Sequence, residues 1–260
     1  MRLLALEALA NANWPRKCLA VKAISLDYDI DIMATYVAPH VLPGRAERPL
    51  LVAPREIKRR SVHTAEGRAV LIHALAHIEA NAINLALDIV WRFAGMPEKF
   101  YRDWIGVAQE EAYHHELLAA HLQSLGHSYG DFPAHNGLWE MAEKTSDDLL
   151  ARLALVPRTL EARGLDVSPV LRAKLHDAGD TRGAEILDVI LRDEIRHVAI
   201  GNYWYRYLCA REARDPVATY AELAARYQAP RLRGPFNIEA RRAAGFDEEE
   251  LAALQAASEL

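Results

Sequence analysis

This sequence predicts an all-α fold, a four-helix bundle with extra N-terminal and C-terminal helices and a proline-rich strap. Three observations carry the expectation. Apolar residues recur at helical spacing over four long stretches, about 64–94, 97–125, 138–163 and 180–211. Capping or breaking residues bound them, among them Thr64, Gly95 with Pro97, Gly126 and Asp180. No β-hairpin signal and no low-complexity tract interrupts the pattern.

The chain's 260 residues suffice for one domain with extensions. The expected division is a core bundle over about 64–212, an N-terminal extension over 1–63 and a C-terminal extension over 213–260. Hydrophobic residues make up 51%, enough for a sizeable core. A net charge of −5 gives no reason to expect a general nucleic-acid or membrane binder. The two cysteines, Cys18 and Cys209, lie far apart and read as free thiols in a reducing compartment. The apolar run at the amino terminus is broken by Glu7 and reads as a short amphipathic helix rather than a signal peptide. No stretch reaches the roughly 18 uninterrupted apolar residues of a membrane span, so a cytoplasmic protein is expected.

The elements follow in order. Residues 1 to about 25 read as one or two short helices. From Asp27 to Arg60, Pro39, Pro43, Gly44, Pro49 and Pro54 make an extended strap, wrapped on the surface or serving function. Thr64 caps a first long helix of roughly 45 Å, ended by Gly95. Pro97 opens the second at a first-turn position, and the short turn makes the two antiparallel neighbours. After a connection through Gly130, Pro133 and Gly137, the third helix should cover Leu138 to Arg163, kinked at Pro157. Ser168-Pro169 should start a short helix, Asp180 should cap the fourth long one, and Asp215-Pro216 should start another short one. The tail from Ala229 to Phe246 reads as basic and irregular, and Asp247 caps a final acidic helix.

Two of the long helices carry the same motif. Glu111 and His114 are three residues apart, as are Glu194 and His197, so each pair projects from one helix face, the apolar one. A carboxylate and an imidazole within a buried stripe are costly unless something pairs with them. The other two helices each offer one inward carboxylate, Glu79 and Glu161. Glu161 lies 82 positions after Glu79, Glu194 83 after Glu111 and His197 83 after His114. A two-fold repeat of helix hairpins, each carrying E…ExxH, explains all three offsets together. One ExxH would arise readily by chance in a chain with 11 histidines, but not this matched set.

Four carboxylates and two imidazoles suit a pair of divalent ions. The carboxylates neutralise four positive charges, and the nitrogen and oxygen donors fit iron or manganese. Glu110 and Asp193 precede the paired glutamates and are candidates to orient the ligating imidazoles, or else ordinary solvated charges. Tyr113, within the first motif, reads as a neighbour of the metals or as bundle packing. His73, His77 and His115 fall on other faces and read as surface or satisfied core histidines.

At these residues the chain resembles the ferritin-like superfamily. More narrowly, it is similar to a bacterial family known only as a conserved domain of unknown function, over nearly its whole length. The likeness rests on Pro54-Arg55-Glu56, Ala76-His77-Ile78-Glu79, Glu110-Glu111…His114, the run from Tyr129 to His135, the run from Leu160 to Asp166, Arg192-Asp193-Glu194…His197 and Arg233-Gly234-Pro235-Phe236-Asn237. It implies a di-iron carboxylate protein, with manganese or mixed manganese–iron as alternatives. The leading expectation is an oxidoreductase that uses dioxygen to oxidise a small organic substrate, with an unspecified electron donor and room for a homodimer. Two alternatives stand beside it: a tRNA-modifying di-iron monooxygenase, for which only the tail arginines speak, and an iron-storage or peroxide-detoxifying protein.

Overall fold

A computed structural model describes residues 1–58 and 60–259. The fold is all-α, and among the described residues β-structure is confined to one isolated bridge, Leu51 to Ala134. Contacts divide the chain into two compact units. The first comprises Met1–Trp139 and Leu175–Ile186, the second Glu140–Lys174 and the chain from Leu187 onward.

In the first unit, α1 (Arg2–Ala10) and α2 (Trp14–Lys22) precede the long helices α3 (Ala65–Arg92) and α4 (Glu98–Ser124). Thr64 caps α3 by accepting from Gly67 N at 3.1 Å. Beyond its end, Gly95 has φ +76°, and Gly126 after α4 has φ +84°. Pro97 is the residue before α4 rather than its first turn, a position where its missing N–H is equally harmless. The helices α3 and α4 pack against each other. Helix α3 is long and apolar enough to cross a membrane, but 78% of that window is buried inside the protein, as in a core helix.

The strap wraps the first unit through backbone bonds. Gly44 N donates to Leu9 O at 2.9 Å, Gly95 N to Ile32 O at 2.7 Å and Val52 N to Ala134 O at 2.9 Å. Among the described residues, its only helical turn is a 3₁₀ turn at Pro54–Glu56. Arg2 fastens it further: buried, it donates to Val90 O and Trp91 O in the last turn of α3 and to Ile32 O in the strap. Those helix-end carbonyls have no partner within the helix.

The third stretch departs from expectation. It breaks into α5 (Gly137–Lys144) and α6 (Leu149–Leu155), then a π-helical segment, Val156–Glu161, and α7 (Ala162–Asp177). The break is built by Asp148, which caps α6 at Ala151 N, and by the buried Arg152, whose Nε donates to Thr145 Oγ1 at 2.9 Å. Pro157 therefore sits in a π segment, where Thr159 Oγ1 donates to Ala154 O at 2.8 Å. Nor does Ser168-Pro169 start a helix. Helix α7 runs through it, because buried Ala162 and Leu165 anchor the helix upstream and buried Leu175 anchors it downstream.

Asp180 caps α8 (Thr181–Arg211) at Gly183 N, and Asp215 caps α9 (Pro216–Arg226) at Ala218 N. The tail is less irregular than expected: Asn237 caps a short helix, α10 (Ile238–Ala243), and Asp247 caps α11 (Glu248–Glu259). In the second unit, Ala162, Leu165 and Val198 share one apolar cluster with Ala240, Ala244, Phe246 and Leu251. Cys18 and Cys209 are free and buried.

Candidate metal centre

Glu79 projects from α3, Glu111 and His114 from α4. Their side chains are almost wholly inaccessible, at 4%, 1% and 0% exposure. His114 Nδ1 lies 3.2 Å from Glu79 Oε2 and 3.4 Å from Glu111 Oε2. Helix geometry explains the pairing on α4, since residues three apart share a face.

The electrostatics show what such a cluster asks for. Burial, reinforced by the charge of Glu111, pushes the Glu79 carboxyl up to about 7. Burial would lower His114, but the hydrogen bonds it donates to Glu111 and Glu79 outweigh it and raise the imidazole to about 11. Two buried carboxyl groups against one imidazole thus favour a positive charge beside them. A divalent ion answers the same demand more fully, and oxygen donors with imidazole nitrogen suit iron or manganese.

The second unit repeats the pattern on α8. Glu194 is 7% exposed and His197 0%, and His197 Nδ1 stands 3.4 Å from Glu194 Oε1. That separation equals the one in the Glu111–His114 pair. In the first unit the buried side chains of Glu79, Glu111 and His114 belong to a group that could hold a metal ion. His197 and Glu161 stand outside that group. Glu161 is half-buried and closes the π segment, a helix form that often marks functional sites.

The neighbouring residues are placed as follows. Glu110 and Asp193 are half-buried, and Asp193 accepts from Arg192 Nε at 2.8 Å. Tyr113 is 47% exposed, its ring 6.3 Å from that of His114.

Sequence reasoning missed a second group, in the first unit. His73, His77 and His115 are all buried and gather round Tyr129, with ring centroids 5.3, 6.2 and 4.8 Å away. His77 bonds Tyr129 Oη at 2.8 Å and His135 O at 3.0 Å, and burial lowers it to about 4, so it stays neutral. The i, i+4 spacing of His73 and His77, read together with the Tyr129–His135 run, was the available signal. Nearby, Lys17 is fully buried, with Nζ 2.6 Å from Asn84 Oδ1, and burial lowers it to about 7.

Residues 4–252 match a protein family described as "Protein of unknown function (DUF455)". An uncharacterized protein of Haemophilus influenzae is 45% identical over 258 residues, covering 94% of this chain and 90% of its own. No solved structure matches the chain.

Proposed function

The chain belongs to the DUF455 family, and we propose that it is a ferritin-like di-metal carboxylate protein, an oxidoreductase that uses dioxygen to oxidise a small organic substrate. One observation carries the reading. The ExxH pair has the same geometry twice, a buried imidazole Nδ1 at 3.4 Å from its carboxylate on both α4 and α8.

Glu79, Glu111, His114, Glu161, Glu194 and His197 would hold two iron ions. When bound, such a pair supplies electrons for the reduction of dioxygen. The chain's own part is to bind, balance and exclude. Four carboxylates cancel the charge of two divalent ions, and two imidazoles complete the donor set. The near-complete burial of Glu79, Glu111, His114 and His197 keeps bulk water from the ligands. Glu161 would join the ligands from the end of the π segment, a helix form that often marks functional sites. Of the tail arginines that would serve an RNA partner, Arg241 and Arg242 are ion-paired to Asp166 and Glu248, which favours the small-substrate reading.

Oxygen uptake tests the proposal. Protein loaded with ferrous iron and given a reductant should consume dioxygen faster than the same iron free in buffer, and His114→Ala should abolish the difference. Equal uptake by protein and by free iron would contradict it.

A further inference from the structure

The second unit holds a cavity of 490 Å³, bounded by α9, residues 229–232 and α11. Its volume falls within the roughly 300–1,000 Å³ typical of small-molecule sites. Much of the wall is short apolar side chain, as at Ala221, Ala224 and Leu254. An alanine-lined surface alone would mean little. The charged residues set this one apart.

Among the described residues, Arg158, Arg231 and Arg241 line the cavity against one carboxylate, Glu250. Arg158 is 5% exposed and Arg241 0%. Arg158 gives Nη2 to Glu250 Oε1 at 2.7 Å, while its Nε and Nη1 are buried with no hydrogen-bond partner. Glu250 is shared: its other oxygen is bonded by Arg206 and by Asp247 N. Arg241 is bound to Asp166 through Nε and Nη2, at 2.9 and 2.6 Å, and Nη2 also donates to Ala162 O at 3.4 Å.

Aromatic rings surround these cations. The Cζ of Arg158 lies 4.5 Å from the Tyr205 ring centroid and 5.0 Å from that of Phe246, and Arg241 lies 5.3 Å from the same Phe246 ring. Ring faces stabilise the positive charge but leave N–H donors unanswered. Buried polar groups are nearly always hydrogen-bonded, so the two unanswered donors of Arg158, with the cation of Arg241 beside them, call for an acceptor from outside the chain. A carboxylate is the natural partner of a guanidinium.

We infer that this cavity binds an amphipathic organic anion, a monocarboxylate with an apolar tail, its head group on Arg158 and Arg241 and its tail along the alanine wall. The inference is independent of the metal centre, whose proposed ligands do not line the cavity.

Calorimetric titration of the full chain with decanoate and with decanol tests it. Decanoate should bind at one per chain, and decanol at least tenfold more weakly, because it lacks the anionic head. Ala221→Trp, at an exposed wall position, fills the cavity and should weaken decanoate binding at least tenfold. The paired change Arg158→Gln with Glu250→Gln removes one of the two head-group cations without stranding the glutamate, and should narrow the preference for acid over alcohol at least threefold. If that variant does not fold, the Ala221→Trp arm decides. No decanoate binding, equal binding of acid and alcohol, or unchanged binding in Ala221→Trp would overturn the inference.

Discussion

Replacing Gly201 with alanine would separate two effects that normally act together. Gly201 lies inside α8, where alanine is favoured over glycine by about 0.8–1.0 kcal/mol. Its surroundings oppose the change. A Cβ there would stand 2.7 Å from Pro157 Cβ and 2.9 Å from Pro157 Cγ. Carbon contacts are comfortable at about 3.5–4.0 Å, so the overlap approaches an ångström. Proline cannot swing aside, since its ring is closed onto the backbone of the π segment. Overpacking of this kind costs about 1–3 kcal/mol, and a rigid neighbour places it toward the upper end. The net expectation is a loss of about 1–2 kcal/mol. At roughly 2–4 °C per kcal/mol for a chain of this size, Tm should fall by about 3–6 °C. Gly164→Ala in α7 is the control, because its added Cβ would meet nothing within 4 Å. That variant keeps only the helix-propensity gain and should raise Tm by about 2–4 °C. Thermal and urea unfolding of both variants reads the signs. A Gly201→Ala protein as stable as wild type, or shifted in the same direction as Gly164→Ala, would refute the close packing of α8 on Pro157.

Metal-free protein should lose stability as pH rises. Glu79 is raised from 4.5 to about 7 and His114 from 6.5 to about 11, so between those values the folded chain binds more protons than the unfolded one. The contribution is whole below about pH 4.5 and drains away as pH passes 7 and climbs toward 11. Metal displaces those protons, so Tm measured with and without chelator should slope downward only with it; a rising slope in chelator would contradict the cluster. Asp180→Ala removes both the cap of α8 at Gly183 N and the partner of buried His121, whose Nε2 lies 2.9 Å from Asp180 Oδ1. Together these should cost about 2–4 kcal/mol in urea unfolding, and a loss below about 0.5 kcal/mol would show that neither matters.

Local chemistry made much of the fold readable. Thr64, Asp180, Asp215 and Asp247 all cap the helices that their positions announce, because a short acceptor beside the first free N–H groups acts within a few residues. The errors arose where distant packing overrides local preference. Pro169 reads as a helix start, yet α7 passes through it, held by buried residues on either side. Residues 138–163 read as one helix, yet Asp148 and Arg152 build a second start inside it. For the candidate site, the repeat spacing singles out Glu79, Glu111, His114, Glu161, Glu194 and His197, of which all but the half-buried Glu161 are buried. The π geometry beside Glu161 left no signal beyond Pro157. The His73–His77–His115 group and the unanswered donors of Arg158 depend on partners dozens of residues away, which no local pattern reveals.

Metal stoichiometry tests the central claim most directly. Protein purified without chelator and analysed by plasma emission spectrometry should carry two first-row transition ions per chain, and His114→Ala and His197→Ala should each carry fewer. Wild-type protein that neither retains such ions nor takes them up when they are offered would contradict it.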